Sequence, residues 1–209
     1  MENTGERVIP EYMKEDNGML IEHRARYAFS KKYVLGKVLD IACGVGYGAD
    51  ILLEEIYNER IDHYLGIDRC KDVIAYARRM YGFQQTQFVK GDALDSKLVE
   101  KYGEFDTILS FETIEHIKED QRFVQNLKSL LAEKGRLMIS TPIGRGRDKP
   151  CNDPFHFRHY QRDEFVDLLE NNGFDVELFF QRGKTIEKPH PKNQYYLMVA
   201  VCKHKGPCS

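Results

Sequence analysis

The run Val38-Leu39-Asp40-Ile41-Ala42-Cys43-Gly44-Val45-Gly46-Tyr47-Gly48 restricts the folds open to this chain more than any other stretch. A short apolar segment bounded by glycine reads as a buried strand, and three glycines at alternate positions follow it at once. Glycines at that density permit positive φ and let a ligand lie against bare backbone. Beyond them, Ile51, Leu52, Glu55 and Ile56 recur at helical spacing across 49–57. The expected unit is strand, tight turn and helix, with backbone N–H groups and a helix N-terminus facing a bound molecule.

The same pattern returns along the chain. His63 to Asp68 is a short strand ending in an acid, and 71–81 is a helix with Val73, Ala77 and Met80 on one face before Gly82. Gln87 to Val89 leads into Gly91-Asp92. Phe105 to Phe111 is a continuous run suited to a sheet buried on both faces. A helix with Phe123, Leu127, Leu130 and Leu131 on one side follows, with Gly135 as its stop and Arg136–Ser140 as the fifth strand. A helix over 163–172 closes at Gly173, and Val176–Gln181 and Tyr195–Cys202 read as an antiparallel pair. Strands alternating with helices in this way give an α/β class with a largely parallel sheet.

Asp40, Asp68 and Asp92 are then expected at the tips of three successive strands, at the sheet edge where α/β ligands bind. Gly44 to Ala49 satisfies G-x-G-x-x-A, so a dinucleotide is one candidate. A carboxylate from Asp40 would oppose its pyrophosphate. S-adenosylmethionine carries a sulfonium and an ammonium and no phosphate, so the same carboxylate favours it. Asp68 lies about 20 residues beyond the glycines, the spacing of an acid that binds ribose hydroxyls, though it could equally cap the helix that follows. Asp92 can accept from an adenine amine, although Gly-Asp alone also makes a plain turn.

On these residues the 38–48 stretch resembles motif I of the class I S-adenosylmethionine-dependent methyltransferases. The resemblance implies a Rossmann-like sheet of seven mostly parallel strands, in the order 3-2-1-4-5-7-6, with helices on both faces and an antiparallel last strand. It implies cofactor contacts from Asp40, Ala42, Gly44 and Gly46, from Asp68 and Arg69, from Asp92 and Ala93, and from Ser110 and Phe111. The Gly5-Glu6-Arg7…Pro10 segment and the Glu22-His23…Arg26-Tyr27 segment are similar to the opening of many bacterial methyltransferases. There a helix lies across the glycine loop as a lid, whereas composition alone would suit a solvated arm. By the same likeness Arg26 would hold the methionine carboxylate, for which a guanidinium fork is suited. The segment Asn152-Asp153-Pro154-Phe155-His156 resembles the Asn-Pro-Phe-His run of bacterial methyltransferases found with sugar and cell-envelope biosynthesis, with Asp153 inserted.

That likeness implies transfer to a hydroxyl of a small polar metabolite such as a sugar or sugar nucleotide. His156 is the expected general base with His116 and Glu112 beside it; Glu112 and His116 share a face if their segment is helical. His159 reads as a surface residue. Glu112-x-x-Glu115-His116 is also similar to a segment of the ubiquinone-pathway O-methyltransferases and of the small-RNA 3′-terminal 2′-O-methyltransferases. This implies a magnesium or manganese site built from Glu112, Glu115, His116 and His156, and a metal-assisted RNA 2′-O-methyltransferase as the second reading. The segment also occurs in relatives without a metal, where His116 supports the pocket wall and Glu115 is a solvated charge. A non-catalytic cofactor-binding partner subunit is the third reading.

At 209 residues and 42% hydrophobic content the chain suits one domain. Residues 1–33 form the arm or lid, 34–202 the methyltransferase domain with acceptor-side loops at 143–160 and 182–194, and 203–209 a tail. A net charge of −2 gives no global field for nucleic acid or a membrane surface, leaving a small-molecule acceptor as the expected partner. Five cysteines without a C-x-x-C pair argue for reduced thiols in a cytoplasmic protein, with neither a disulfide framework nor a zinc site. A homodimer is compatible with all of this.

Overall fold

The computed structural model describes residues 7–151 and 153–206. Gly5 and Glu6 of the N-terminal segment, Asn152 and Cys208 lie outside the described residues.

Eight strands form one sheet: β1 (Gly36–Ile41), β2 (Ile61–Asp68), β3 (Thr86–Lys90), β4 (Phe105–Ser110), β5 (Leu131–Pro142), β6 (Phe174–Arg182), β7 (Thr185–Glu187) and β8 (Leu197–His204). Their order is β3-β2-β1-β4-β5-β8-β6-β7. The first five run parallel, and β8, β6 and β7 are antiparallel to their neighbours. This is the order expected from the resemblance with one strand added at the far edge. The addition is β7, which pairs Phe180 with Glu187 and Arg182 with Thr185 across a tight turn at Gly183. The sequence reading treats 182–194 as an irregular loop, because three residues are too few to show an alternating pattern.

Seven α-helices among the described residues flank the sheet: α1 (Gly18–Ser30), α2 (Tyr47–Ile51), α3 (Leu53–Tyr57), α4 (Lys71–Tyr81), α5 (Leu98–Tyr102), α6 (Asp120–Leu130) and α7 (Arg162–Asn171). Successive strand residues point to opposite faces, so each strand feeds two cores. Val38 and Tyr64 join α1 to α4 residues such as Tyr27, Leu52 and Ala77 on one face. Leu39, Ile41, Leu65 and Ile67 join α5, α6 and α7 residues such as Leu98, Phe123 and Phe165 on the other. That two-faced burial is why these strands read as continuous apolar runs.

Three boundaries differ from the sequence reading. The helix expected over 49–57 breaks at Leu52, where φ is −91° and ψ 7°. Gly135 does not stop α6; the helix ends at Leu130 and Gly135 lies inside β5, where a Cβ would sit 3.0 Å from the Phe105 carbonyl oxygen. Finally, β8 runs to His204, two residues into the supposed tail, and Lys205 donates to the Gly173 carbonyl. No helix among the described residues is long and apolar enough to cross a membrane.

Candidate functional site

The tips of β1, β2, β3 and β4 open into a cavity of about 590 Å³, within the range of a small-molecule site. The glycine turn forms its floor, and each glycine answers a different need. Gly44 has φ of +56°, and a Cβ there would meet nothing within 4 Å, so bare backbone faces the open space. Gly46 has φ of +87° and packs against Phe88 and Ala77. At Gly48 a Cβ would lie 2.3 Å from the ring of Tyr27, so α1 rests directly on the turn. Tyr27 and His23 of this helix line the cavity.

Asp68 ends β2 and accepts from the backbone N–H of Gly44 at 3.2 Å and of Cys70 at 2.8 Å. Burial pushes its carboxyl pKa upward, and those two N–H donors oppose the shift. Asp92 accepts from the N–H of Leu94 at 2.9 Å and stands exposed at the rim. Of the residues for which the resemblance implies cofactor contacts, Ala42, Gly44, Asp68, Arg69, Asp92, Ala93 and Phe111 border the cavity.

Four expected cofactor residues do not. Asp40 is not at the strand tip; it pairs with Gly66 and Leu109 one residue inside β1, on the face that looks toward α1. There its carboxylate accepts from Tyr27 Oη at 2.8 Å and from Tyr64 Oη, and burial raises its pKa to about 7. The rim of three acids is therefore a rim of two, and the electrostatic case made from Asp40 against a phosphate does not survive. Arg26 is 1% exposed and donates from Nη1 to Gln181 Oε1 of β6 at 2.8 Å. Its Nε has no hydrogen-bond partner among the described residues. Gly46 and Ser110 are buried behind the lining.

The opposite wall comes from the segment after β4. Glu112 and His116 do not share a helical face, because Glu112 has φ of +50° and only Ile114–His116 form a 3-10 turn. Non-glycine residues at positive φ are strained and tend to cluster at functional sites. Of the three here, Ala42 and Glu112 both line the cavity. The Glu112 carboxylate accepts from Ser140 Oγ at 2.6 Å. Glu115 is fully buried, not solvated, and desolvation and the Glu112 charge push its pKa well up.

His116 lines the cavity and its Nδ1 meets the Phe155 carbonyl oxygen at 3.0 Å, so Nδ1 carries the proton and Nε2 the lone pair. His156 packs edge-on behind it with ring centroids 4.5 Å apart and does not border the cavity. Burial and the neighbouring His116 lower the His156 pKa to about 4. His159 is half-buried rather than freely exposed; its Nε2 lies 2.6 Å from His156 Nδ1. Of the expected metal set, Glu115, His116 and His156 present atoms within 4.8 Å of one another, and Glu112 is left out.

Sequence reasoning missed His23, Tyr27 and Tyr47 as cavity residues. His23 Nδ1 lies 2.9 Å from Tyr47 Oη, and burial with the nearby Arg26 charge keeps the imidazole neutral. The spacing of His23 and Tyr27 by one helical turn was the available signal.

A family model described as a methyltransferase domain matches residues 12–178. A relative in Mycolicibacterium smegmatis, named "Probable S-adenosylmethionine-dependent methyltransferase", is 32% identical over 179 residues, covering 83% of this chain and 65% of the relative. A similarly named protein of Mycobacterium tuberculosis is 30% identical over 176 residues, covering 82% of this chain and 60% of the relative. The chain thus spans less than two thirds of the length of these curated relatives. Among solved structures, a TehB-like SAM-dependent methyltransferase from Corynebacterium glutamicum superposes with a TM-score of 0.62 at 21% identity, covering 87% of this chain and 88% of that one.

Proposed function

The chain belongs to the class I S-adenosylmethionine-dependent methyltransferases, and from that premise we propose that it methylates a hydroxyl of a small polar metabolite, such as a sugar or sugar nucleotide. The observation that carries this reading is the His116 imidazole, fixed at the cavity wall opposite the glycine turn with its Nδ1 tied to a backbone carbonyl. An imidazole whose Nδ1 donates to a backbone carbonyl can, in its neutral form, take the proton of an attacking hydroxyl at Nε2.

The residues present fit the donor. Bare backbone at Gly44, the Asp68 carboxylate pinned by two N–H groups and the rim acid Asp92 suit a nucleoside. S-adenosylmethionine supplies an electrophilic methyl group when bound. In this reading Asp68 orients the ribose, Asp92 meets the adenine amine, and α1 excludes water through Tyr27 and His23. His116 holds the acceptor hydroxyl in line and receives its proton at Nε2, and His156 supports its ring from behind. Both signs of charge line the cavity, Arg7, Arg69 and Lys118 together with Asp68, Asp92, Glu112 and Glu119, which suits a small polar acceptor better than a phosphate backbone.

The metal-assisted RNA reading draws on the convergence of Glu115, His116 and His156. Incubation with labelled S-adenosylmethionine and a panel of sugar nucleotides, polar metabolites and short RNAs separates the two. Label on a metabolite hydroxyl is expected; label confined to RNA would sink the proposal.

A further inference from the structure

We propose that Cys151, His156 and His159 form a binding site for a zinc-class divalent ion that orders the middle of the 143–160 loop and, through it, the acceptor wall of the cavity. Cys151 Sγ lies 3.4 Å from His159 Nε2, and His159 Nε2 lies 2.6 Å from His156 Nδ1. All three donor atoms fall within 4.8 Å of one another. Around a tetrahedral ion with Zn–S of about 2.3 Å and Zn–N of about 2.0 Å, neighbouring ligand atoms stand roughly 3.3–3.6 Å apart. The sulfur-to-nitrogen distance already matches, and a small rotation of one imidazole opens the other. The Asp153 carboxylate, 3.9 Å from His156 Nδ1, is placed to complete the set.

A thiol with two imidazoles is a soft, nitrogen-rich donor set. It suits zinc and serves magnesium or calcium poorly, since those ions take oxygen ligands. The spacing is Cys-x4-His-x2-His, so a search for C-x-x-C pairs passes over it.

The loop has a reason to use an ion. Its ends are held by Asp120, which binds Arg147 at 2.6 Å, Tyr160 at 2.8 Å and Arg158. Its middle has no apolar core, with Phe155 48% and Phe157 59% exposed. A metal supplies folding free energy where a core is missing. His159 sits flush on the base of the loop, where a Cβ on Gly144 would lie 2.2 Å from its own Cβ. The ordered segment then presents the Phe155 carbonyl to His116, the Phe157 N–H to the Glu115 carbonyl at 2.8 Å, and the Phe157 ring to the cavity.

The decisive measurement is cobalt(II) titration of the reduced, chelator-treated protein, followed by zinc competition. We expect one ion per chain, a thiolate-to-cobalt charge-transfer band, and loss of that band in Cys151→Ser. His159→Asn should weaken zinc by at least the ~10–100-fold that even outer-shell partners contribute. Glu115→Gln should bind as the unaltered protein does, with the fold of each variant checked by circular dichroism. If Cys151→Ser misfolds, His159→Asn in the same titration carries the test. No charge-transfer band in the unaltered protein, a band that persists in Cys151→Ser, unweakened zinc in His159→Asn, or binding lost in Glu115→Gln alone would each overturn the proposal. None of these readouts depends on methyl transfer, so its failure leaves the functional reading untouched.

Discussion

The donor half and the acceptor half of the cavity are built in different ways. The donor half is made of strand tips and backbone: Gly44 and Cys70 N–H groups hold Asp68, and the Leu94 N–H holds Asp92. Its acids are held by backbone N–H groups, and Gly46 and Gly48 are seated against Phe88, Ala77 and Tyr27. The acceptor half is made of side chains on irregular backbone. It holds a left-handed Glu112, a buried Glu115 whose Oε1 has no partner among the described residues, and His116 and His159 each packed on His156. The difference teaches that one half recognises a fixed ligand through the fold itself. The other half is set by a loop that can change without disturbing the sheet.

The sharpest way to test that division is to damage the acceptor half alone. His116→Ala should lower turnover by about 10²–10⁴-fold, the usual contribution of a positioned general base. Calorimetric affinity for S-adenosylhomocysteine should stay unchanged, because no donor-side group touches that imidazole. A parallel loss of affinity would show that the halves are not separable.

The next test lies under the donor half. Asp40 has its folded pKa raised to about 7 by burial, against the ordinary carboxylate value of 3.8 in the unfolded chain. A raised pKa means the folded protein binds the proton more tightly. Its stabilising effect is therefore complete below pH 4 and is lost as pH rises through about 7, by up to roughly 4 kcal/mol. Asp40→Asn should remove this component, so that the difference in denaturation midpoint between variant and unaltered protein grows from pH 5 to pH 8. A difference independent of pH would mean that Asp40 is ionised throughout.

Gly46→Ala probes the same half through packing. The new methyl would lie 2.8 Å from both Ala77 and the Phe88 ring, on a backbone at φ of +87°. Overpacking with left-handed strain should lower stability by about 2–4 kcal/mol, read by urea denaturation. Gly44→Ala meets no atom within 4 Å and should cost only the backbone strain, about 1 kcal/mol.

The same division governs what the sequence could reveal. Strands buried on both faces leave long apolar runs, so β1, β2 and β4 were legible, as were the acids Asp68 and Asp92 at two strand tips; the strand order came from the family resemblance. Asp40 was misplaced because being the last polar residue of a strand is not the same as being at its tip. The side-chain alternation that sends it toward Tyr27 depends on where the strand ends, at Ile41. On the acceptor side, the Glu112–His116 spacing suggested a helix, and a single left-handed residue removed the shared face. His159 read as surface because nothing local marks a histidine whose partners, Cys151 and His156, are brought to it by a loop closing on Asp120. Long-range packing of that kind leaves no periodicity.

The smallest expected effect sharpens the donor half residue by residue. Asp68→Asn keeps the shape of the side chain and one carbonyl oxygen, so one of the two N–H bonds from Gly44 and Cys70 survives. What changes is the charge and one acceptor, in a site where burial already disfavours the charge. The loss in S-adenosylhomocysteine affinity should therefore be near one hydrogen bond, about 1 kcal/mol or roughly fivefold. Asp68→Ala frees both N–H groups and should lose several times more. Equal losses in the two variants would mean that the carboxylate shapes the glycine turn without touching the ribose.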